Sequence, residues 1–498
     1  MTSPSALQQA PRVPPPRNLF GLVVPPIILP VFLASADGTV VATALPSIAK
    51  SFGEVHNLSW VVIANLIAGT VAAPAYGRLG DLFGRRRMMI VSLLAFALAS
   101  TLCAFAPSFG ILLVGRVLQG LGGGGLMTMA QALVGEHVPT RQRGTFQGYL
   151  AANIVAGTTI GPVAGGLITQ AWGWHAVFLT YLPLCAVAIA LTLRLPHGVR
   201  GQGKASFDVI GVLLLACAVV PLLLAVTQLQ QPDASAWPRI AILMLLTVAG
   251  VWALAWHLGR TPAPLLDVRL LRNPSFWRSD VMAACSGASL TALMTFLPIY
   301  LVAASGATPA EAGLMLIPLS GAVSSGSVVT GWLISRTGRT AIFPAVGLSI
   351  TGLSLIFLAL VAPWLSRAEL AWVLAIGGLC QGSAMITAQI TVQTVSSIGQ
   401  LGAAAGSVQL ARALGSAFGA AAAGAVLFGL LATLYPDTAD LFAQMVREGP
   451  DVLNGLDPAH QAAVRTDVGN AFRGVFLTVA VFSTSIVLCA STMPARRL

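Results

Sequence analysis

Charge is what this sequence has least of. Asp, Glu, Lys and Arg together make up 9% of its 498 residues, and only 16 positions are acidic. A water-facing surface needs about a quarter of its residues charged, so a stack of soluble domains is excluded. Catalytic signatures are missing too. There is no HExxH and no GxSxG, and the histidines, His137, His175 and His257 among them, show no ligand spacing, which leaves an intramembrane hydrolase without a nucleophile, base or metal site. The nearest approach to a phosphate-binding loop, GVRGQGKA at 198–205, has Ala205 where Ser or Thr should hold magnesium, and no strand precedes it. An ATP-driven pump is set aside on that ground. Cysteine is scarce as well: Cys103, Cys185, Cys217, Cys285, Cys380 and Cys489 all lie in apolar runs without paired spacing, so they read as small packing residues rather than disulfides or metal ligands.

What the chain has is apolar length. Hydrophobic residues make up 56% of it, and the mean hydropathy is +0.84. Runs of about twenty apolar residues, enough to cross a hydrocarbon core roughly 30 Å thick, recur almost throughout. Helices are expected, because backbone amides in lipid must be satisfied within the segment and the alternating short strands of a membrane barrel are not seen. The spans read as 20–45, 57–77, 88–106, 109–133, 145–169, 175–194, 208–229, 239–258, 279–303, 310–334, 341–362, 370–394, 403–434 and 470–491, about fourteen in all. Residues 1–19, Pro-rich and polar, read as a disordered tail rather than a cleavable signal, and 492–498 as a second short tail.

Basic residues sort to one side of these spans. With the N-terminus inside, the inner segments collect most arginines, including Arg78, Arg85, Arg86, Arg87, Arg141, Arg143, Arg269, Arg272, Arg336 and Arg339. The outer segments keep only Lys50, Arg239, Arg367, Arg447, Arg465 and Arg473. This positive-inside pattern places both termini in the cytoplasm and predicts an even span count. The net charge of +11 therefore belongs to topology and anionic lipid, not to nucleic acid. The acidic outer stretch 435–469 reads as a solvated external loop.

Two basic inner stretches, 195–207 and 259–278, bracket a pair of spans. The chain thus divides into six spans in 20–194, an inserted pair in 195–276, and six more in 277–491. An internal repeat supports the division. GRLGDLFGRRR at 77–87 has a worn counterpart in GWLISRTGRTA at 331–341, pairing Gly77 with Gly331, Leu79 with Leu333, Gly84 with Gly338 and Arg85 with Arg339. Asp81 is answered only by Ser335. Duplicated halves of this kind mark many secondary transporters, which rock one half against the other.

The stretch from Gly77 to Ile90, GRLGDLFGRRRMMI, resembles the signature loop of the major facilitator superfamily. RVLQGLGGGG at 116–125 is similar to that family's fourth-span motif, and GTTIGPVAGG at 157–166 to the fifth-span motif associated with antiporters. ADGTVVATALP at 36–46 and PLLDVRLLRNPSF at 264–276 resemble motifs of its fourteen-span drug:proton antiporter branch. The resemblance runs from about 20 to 491. It implies an all-α polytopic fold of two six-helix halves plus an inserted helix pair, in the cell membrane, working as a proton-coupled antiporter without a bound cofactor. It also implies a cytoplasmic gate of Gly77, Asp81, Gly84, Arg85 and Arg86, with Asp81 reaching the start of the span near 403. An adaptor protein is known in the branch, but no docking feature is read here.

Individual residues carry chemistry of their own. Arg116 lies deep in an apolar span, where a guanidinium demands a partner and a cavity. Asp37 is the one carboxylate placed clearly within the membrane, and the pair is expected to couple proton uptake and release, burial raising the carboxyl pKa and the guanidinium lowering it. A static ion pair that only fixes helix positions is the competing reading. Gly157, Gly161, Gly165 and Gly166 let another helix approach, and Pro162 bends their span, which the resemblance places at the seal between the halves. Asn65, Gln131, Asn153, Phe296, Tyr300, Gln389 and Gln393 are candidates to line a cavity for lipophilic or amphipathic cargo, cationic or neutral because the membrane carboxylate stands alone. Interhelical hydrogen bonding is an equal reading for each of them. Arg412 lies near the cytoplasmic end of its span, where a snorkelling side chain suits it. A dedicated exporter of one endogenous metabolite or antibiotic remains the alternative to broad drug export.

Overall fold

The structure, a computed structural model, describes residues 19–53, 57–196, 207–229, 237–448 and 457–494. The tail at 1–18, most of the basic stretch 195–207, part of 435–469 and the end of the C-terminal tail lie outside the described residues. No strand forms among the described residues. Sixteen helices follow one another: α1 (Leu19–Phe52), α2 (Ser59–Phe83), α3 (Arg85–Ala104), α4 (Phe109–His137), α5 (Arg143–Trp172), α6 (Trp174–Thr192), α7 (Val209–Leu229), α8 (Trp237–Leu258), α9 (Val268–Leu271), α10 (Pro274–Ala303), α11 (Pro309–Thr337), α12 (Ile342–Val361), α13 (Arg367–Val395), α14 (Leu401–Leu434), α15 (Pro436–Glu448) and α16 (Pro458–Ser491). All but α9 and α15 are long and apolar enough to cross a membrane, which makes fourteen candidate spans.

Several helices outrun the lengths read from hydropathy. The helix α1 continues to Phe52, although Pro25, Pro26, Pro30 and Pro46 lie within it, and α16 begins at Pro458 rather than 470. Each has 34 residues, about 51 Å of axis, well beyond a 30 Å core. Hydropathy detects only the lipid-facing part, while polar ends such as that of α16 keep the helical hydrogen-bond pattern in the interfacial zone.

The expected external loop at 435–469 is a helical element instead, wherever it is described. Phe442 and Met445 of α15 are buried, and the Phe442 ring stands 5.8 Å from that of Phe428 on α14. Thr438 donates to Asp467 of α16 at 2.7 Å. The acidic residues had masked an amphipathic helix that caps the second half.

Helices α1–α6 enclose one apolar core, built around Phe96, Trp174 and Phe178, and α10–α14 with α16 enclose another around Phe296, Phe472 and Phe476. The inserted pair leans on both. Gly250 of α8 lets that helix approach Cys217 of α7, and α7 sets Leu215, Val219 and Leu223 against Ile67 and Val71 of α2 and Leu410 of α14. Asp208 pins the pair's arginine-rich end: it accepts from the N–H groups of Gly211 (2.8 Å) and Leu265 (3.1 Å), and His257 Nε2 lies 2.8 Å away. Burial works to raise this carboxyl's pKa, but these hydrogen bonds outweigh it and hold it below the ordinary carboxylate range. A lowered carboxyl contributes stability above its usual pKa and loses it as pH falls, so the clamp is expected to loosen only in acid.

Candidate functional site

The two halves meet through α2 against α14 and α5 against α11, at the end where the arginines gather. Beyond that seal, a cavity of about 250 Å³ opens between α1, α2, α4 and α14. Asp37 and Arg116 form its polar wall.

Arg116 is fully buried seven residues into α4, and its Nη1 reaches both Asp37 carboxylate oxygens at 3.0 Å. Its Nε donates to Val61 O (2.8 Å) and Nη1 to Gln119 Oε1 (2.5 Å), while Gln119 in turn donates to Ser100 Oγ (2.9 Å). Asn65 Nδ2 donates to Asp37 Oδ2. The carboxylate is thus held by a cation and an amide from two other helices. Asp37 also lines the cavity. Gln119, Ser100 and Gln409 escaped the sequence reading, since a buried amide in a span has no motif.

The glycines of the fifth-span motif pack against another helix, as their spacing suggests, and that helix is α1. A Cβ on Gly157, Gly161 or Gly165 would lie 2.2 Å from Ser35 Oγ, 2.1 Å from Thr39 Oγ1 and 2.5 Å from Thr43 Oγ1. All three contacts are with α1, inside the first half, rather than at the interface of the halves. The three hydroxyls are turned back onto α1 carbonyls, of Phe32, Ala36 and Val40, at 3.0, 2.9 and 2.7 Å. The stripe therefore clamps α1 on both sides of Asp37. Gly166 faces open space and takes no part, and Pro162 lies in a helix that continues past it.

At the seal, the two repeat glycines do the same work. Gly77 of α2 faces Gly402 of α14, and Gly331 of α11 faces Gly144 of α5; a Cβ on either repeat glycine would come within 2.3 Å or 2.1 Å of the opposing carbonyl oxygen. Four residues on, Asp81 accepts from the N–H groups of Gly402 and Ala403, both at 2.8 Å, at the first turn of α14. Its counterpart Ser335 accepts from Thr145 N at 3.1 Å, at the first turn of α5. The repeat is therefore a pseudo-twofold latch, charged on one side and neutral on the other.

Arg85 completes the charged side. It bonds Asp81 at 2.7 Å, Glu136 at 3.1 Å and the Ile398 carbonyl, so one cation ties α2, α4 and the α13–α14 connection. Gly84, at φ 95°, takes a backbone that L side chains rarely adopt and so breaks α2 from α3, which turns Arg85 inward. Arg86 donates to Leu193 O (2.5 Å) at the end of α6. Arg143, unassigned from sequence, donates to Gln393 O (3.0 Å) across the halves.

Replacing Asp81 by Asn leaves one of the two α14 N–H groups facing an amide NH2 and strips Arg85 of its nearest counter-charge. The sealed state is expected to lose about tenfold in relative population, and transport to fall while membrane insertion persists. Full transport by Asp81→Asn would reduce this residue to a helix-end carboxylate.

Of the expected cavity residues, only Asn65 lines the cavity. Gln131 and Gln393 lie in the seal, where Gln393 Nε2 donates to Gln131 O and Gln147 Nε2 to Gln131 Oε1, at 2.8 and 2.7 Å. Gln389 is buried within α13, and Asn153 ties α5 to α1 through Ile28 O (2.8 Å). Phe296 and Tyr300 are core residues of the second half, the Tyr300 ring standing 5.3 Å from Phe472 and 5.5 Å from Phe476. These spans are apolar all round, so periodicity could not say which face was which. Asp37 is also not alone: Asp280, inside α10, accepts from Ser407 Oγ at 2.6 Å. Arg412 lines the cavity.

The model of the Major Facilitator Superfamily matches residues 27–420. The chain is 31% identical over 433 residues to the uncharacterized MFS-type transporter Rv1877 of Mycobacterium tuberculosis (strain ATCC 25618 / H37Rv), covering 86% of this chain and 62% of that protein. The chain thus spans less than two thirds of that relative's length. It is 30% identical over 413 residues to the multidrug transporter protein MdtP of Bacillus subtilis (strain 168), covering 82% of this chain and 75% of that one. Among solved structures, the human organic anion transporter MFSD10 (TETRAN) superposes with a TM-score of 0.63 over 94% of this chain and 100% of that chain, at 15% identity, which is a likeness of fold.

Proposed function

This chain belongs to the major facilitator superfamily, and from that premise we propose that it is a proton-coupled antiporter exporting lipophilic or amphipathic small molecules across the cell membrane by alternating access. The observation that carries the reading is Asp37, paired with Arg116 on the wall of a cavity between the halves. Arg116 and a proton compete for the same carboxylate oxygens, so protonation and helix position are linked. With the arginine-rich end cytoplasmic, the latched arrangement faces outward: cargo leaves, and a proton reaches Asp37. Protonation then releases the pair and favours the return to an inward-facing state. The glycine stripe of α5 supports this role by holding α1 firmly around Asp37.

The test is transport in everted membrane vesicles from cells expressing the chain. A fluorescent lipophilic substrate should accumulate only with an imposed proton gradient, and an uncoupler should abolish the accumulation; uptake insensitive to the uncoupler would sink the reading. The alternative, a dedicated exporter of one endogenous metabolite or antibiotic, draws support from the fixed polar set of Asp37, Asn65, Arg116 and Gln409 in a small cavity. Growth inhibition across a panel of unrelated compounds, in a pump-deficient host, separates the two by whether protection is broad or single.

A further inference from the structure

Arg412 is the cavity cation that lacks a counter-ion among the described residues. It lies three turns into α14, roughly 16 Å along the axis from Leu401 at 1.5 Å per residue. It lines the same cavity as Asp37 and Arg116. Its only hydrogen bond among the described residues is from Nε to Gln409 Oε1, at 3.2 Å, and no described carboxylate pairs with it. Asp37 is already engaged by Arg116, and Asp280, whose Oδ2 accepts from Ser407 and whose Oδ1 has no partner among the described residues, does not line the cavity. Two guanidiniums therefore face this space against one carboxylate. Arg116 Nη2 adds a further buried donor with no acceptor among the described residues. An unbalanced cation at this depth is costly unless the site's occupant supplies acceptors.

We propose that Arg412, oriented by Gln409, receives the polar end of the cargo, and that this end is a hydrogen-bond acceptor without positive charge, such as a carbonyl, phenolate or carboxylate. The guanidinium's planar fork leaves its two Nη groups to donate in parallel toward such a head. Val62, Leu66, Phe96 and Met127 offer the apolar wall for the remainder of the molecule. Gly287 lets α10 close on the α14 backbone at Arg412 and leaves room for the Arg412 Cγ. An ammonium head would meet an excess of positive charge instead. This departs from the sequence-based expectation of cationic or neutral cargo, which took Asp37 as the lone carboxylate in the membrane. The inference rests on this cavity being the cargo site of the proposed exporter.

Equilibrium binding tests it without transport. The full-length protein in lipid nanodiscs is titrated calorimetrically, against empty nanodiscs, with three probes sharing one tail: 4-octylbenzoate, 4-octylacetophenone and 4-octylbenzylamine. The benzoate and acetophenone should bind about tenfold or more tightly than the amine, and Arg412→Gln should level the series. Arg412→Lys should keep part of the benzoate preference. Equal or tighter binding of the amine, no binding above empty nanodiscs, or an unchanged ranking in folded Arg412→Gln would overturn the proposal. If Arg412→Gln does not fold, the wild-type ranking decides. Uncoupler-sensitive export is measured separately, so loss of the export reading and loss of the cargo class give different results.

Discussion

Asp37→Asn is expected to leave no proton-driven transport above that of empty vesicles. Asparagine has nearly the same shape and can still accept a hydrogen bond from Arg116, but it cannot gain or lose a proton in the working range. The substitution also strands Arg116, whose other acceptors are the Val61 carbonyl and Gln119. Breaking a buried pair from one side costs about 3–5 kcal/mol, so a lower unfolding temperature is expected too. Coupling and stability must therefore be separated. Asp37→Asn combined with Arg116→Gln removes the stranded charge and should recover much of the lost stability, yet regain no coupling. Substrate exchange across the membrane without a proton gradient should survive in the double variant if the cavity is intact. A static ion pair predicts the opposite pattern, with stability and transport recovering together. Proton-driven export retained by Asp37→Asn would remove Asp37 from the mechanism altogether.

Much of this site was legible because the membrane makes polar residues conspicuous. Arg116 and Asp37 are 79 positions apart, yet each required a partner, and the sequence offered few others. The latch was legible as a repeat, and the structure adds the reason for it: Gly77 and Gly331 are both places where two helix backbones touch. Glu136 was not legible, because beside His137 at the end of α4 it resembles any helix-end carboxylate. Asp280 was missed through a boundary. Asn273 caps α10, accepting from Ser275 N at 2.9 Å, and Pro274 follows it, a start signal that moves the helix five residues earlier and turns Asp280 from the second residue of the span read as 279–303 into one almost two turns deep. The amides failed for another reason. A glutamine that seals two halves, such as Gln393, and an asparagine that lines their cavity, such as Asn65, have the same composition and depth, and only the packing of the helices distinguishes them.

The same packing makes the second large effect. Gly77→Val is expected to block the latched state and reduce transport about a hundredfold. Even its Cβ would lie 2.3 Å from the Gly402 carbonyl oxygen and 2.9 Å from the carbonyl carbon. Those are backbone atoms of α14, and Asp81 fixes that turn by accepting from Gly402 N and Ala403 N, so no side-chain rotation relieves the overlap. The halves must separate at this end, and a population shift of two orders of magnitude needs only about 3 kcal/mol. Gly331→Val should act alike through Gly144 O, at 2.1 Å, because the repeat places it in the matching position. Gly166→Val is the control: nothing lies within 4 Å of its Cβ position, and transport should be unchanged. A cysteine at Gln409, in a background cleared of the six native ones, reports the state directly. With the arginine-rich end cytoplasmic, an impermeant maleimide added to everted vesicles should label it slowly in the otherwise unaltered chain and rapidly with Gly77→Val. Equal labelling together with undiminished transport would show that the glycine contact is packing without a gating role.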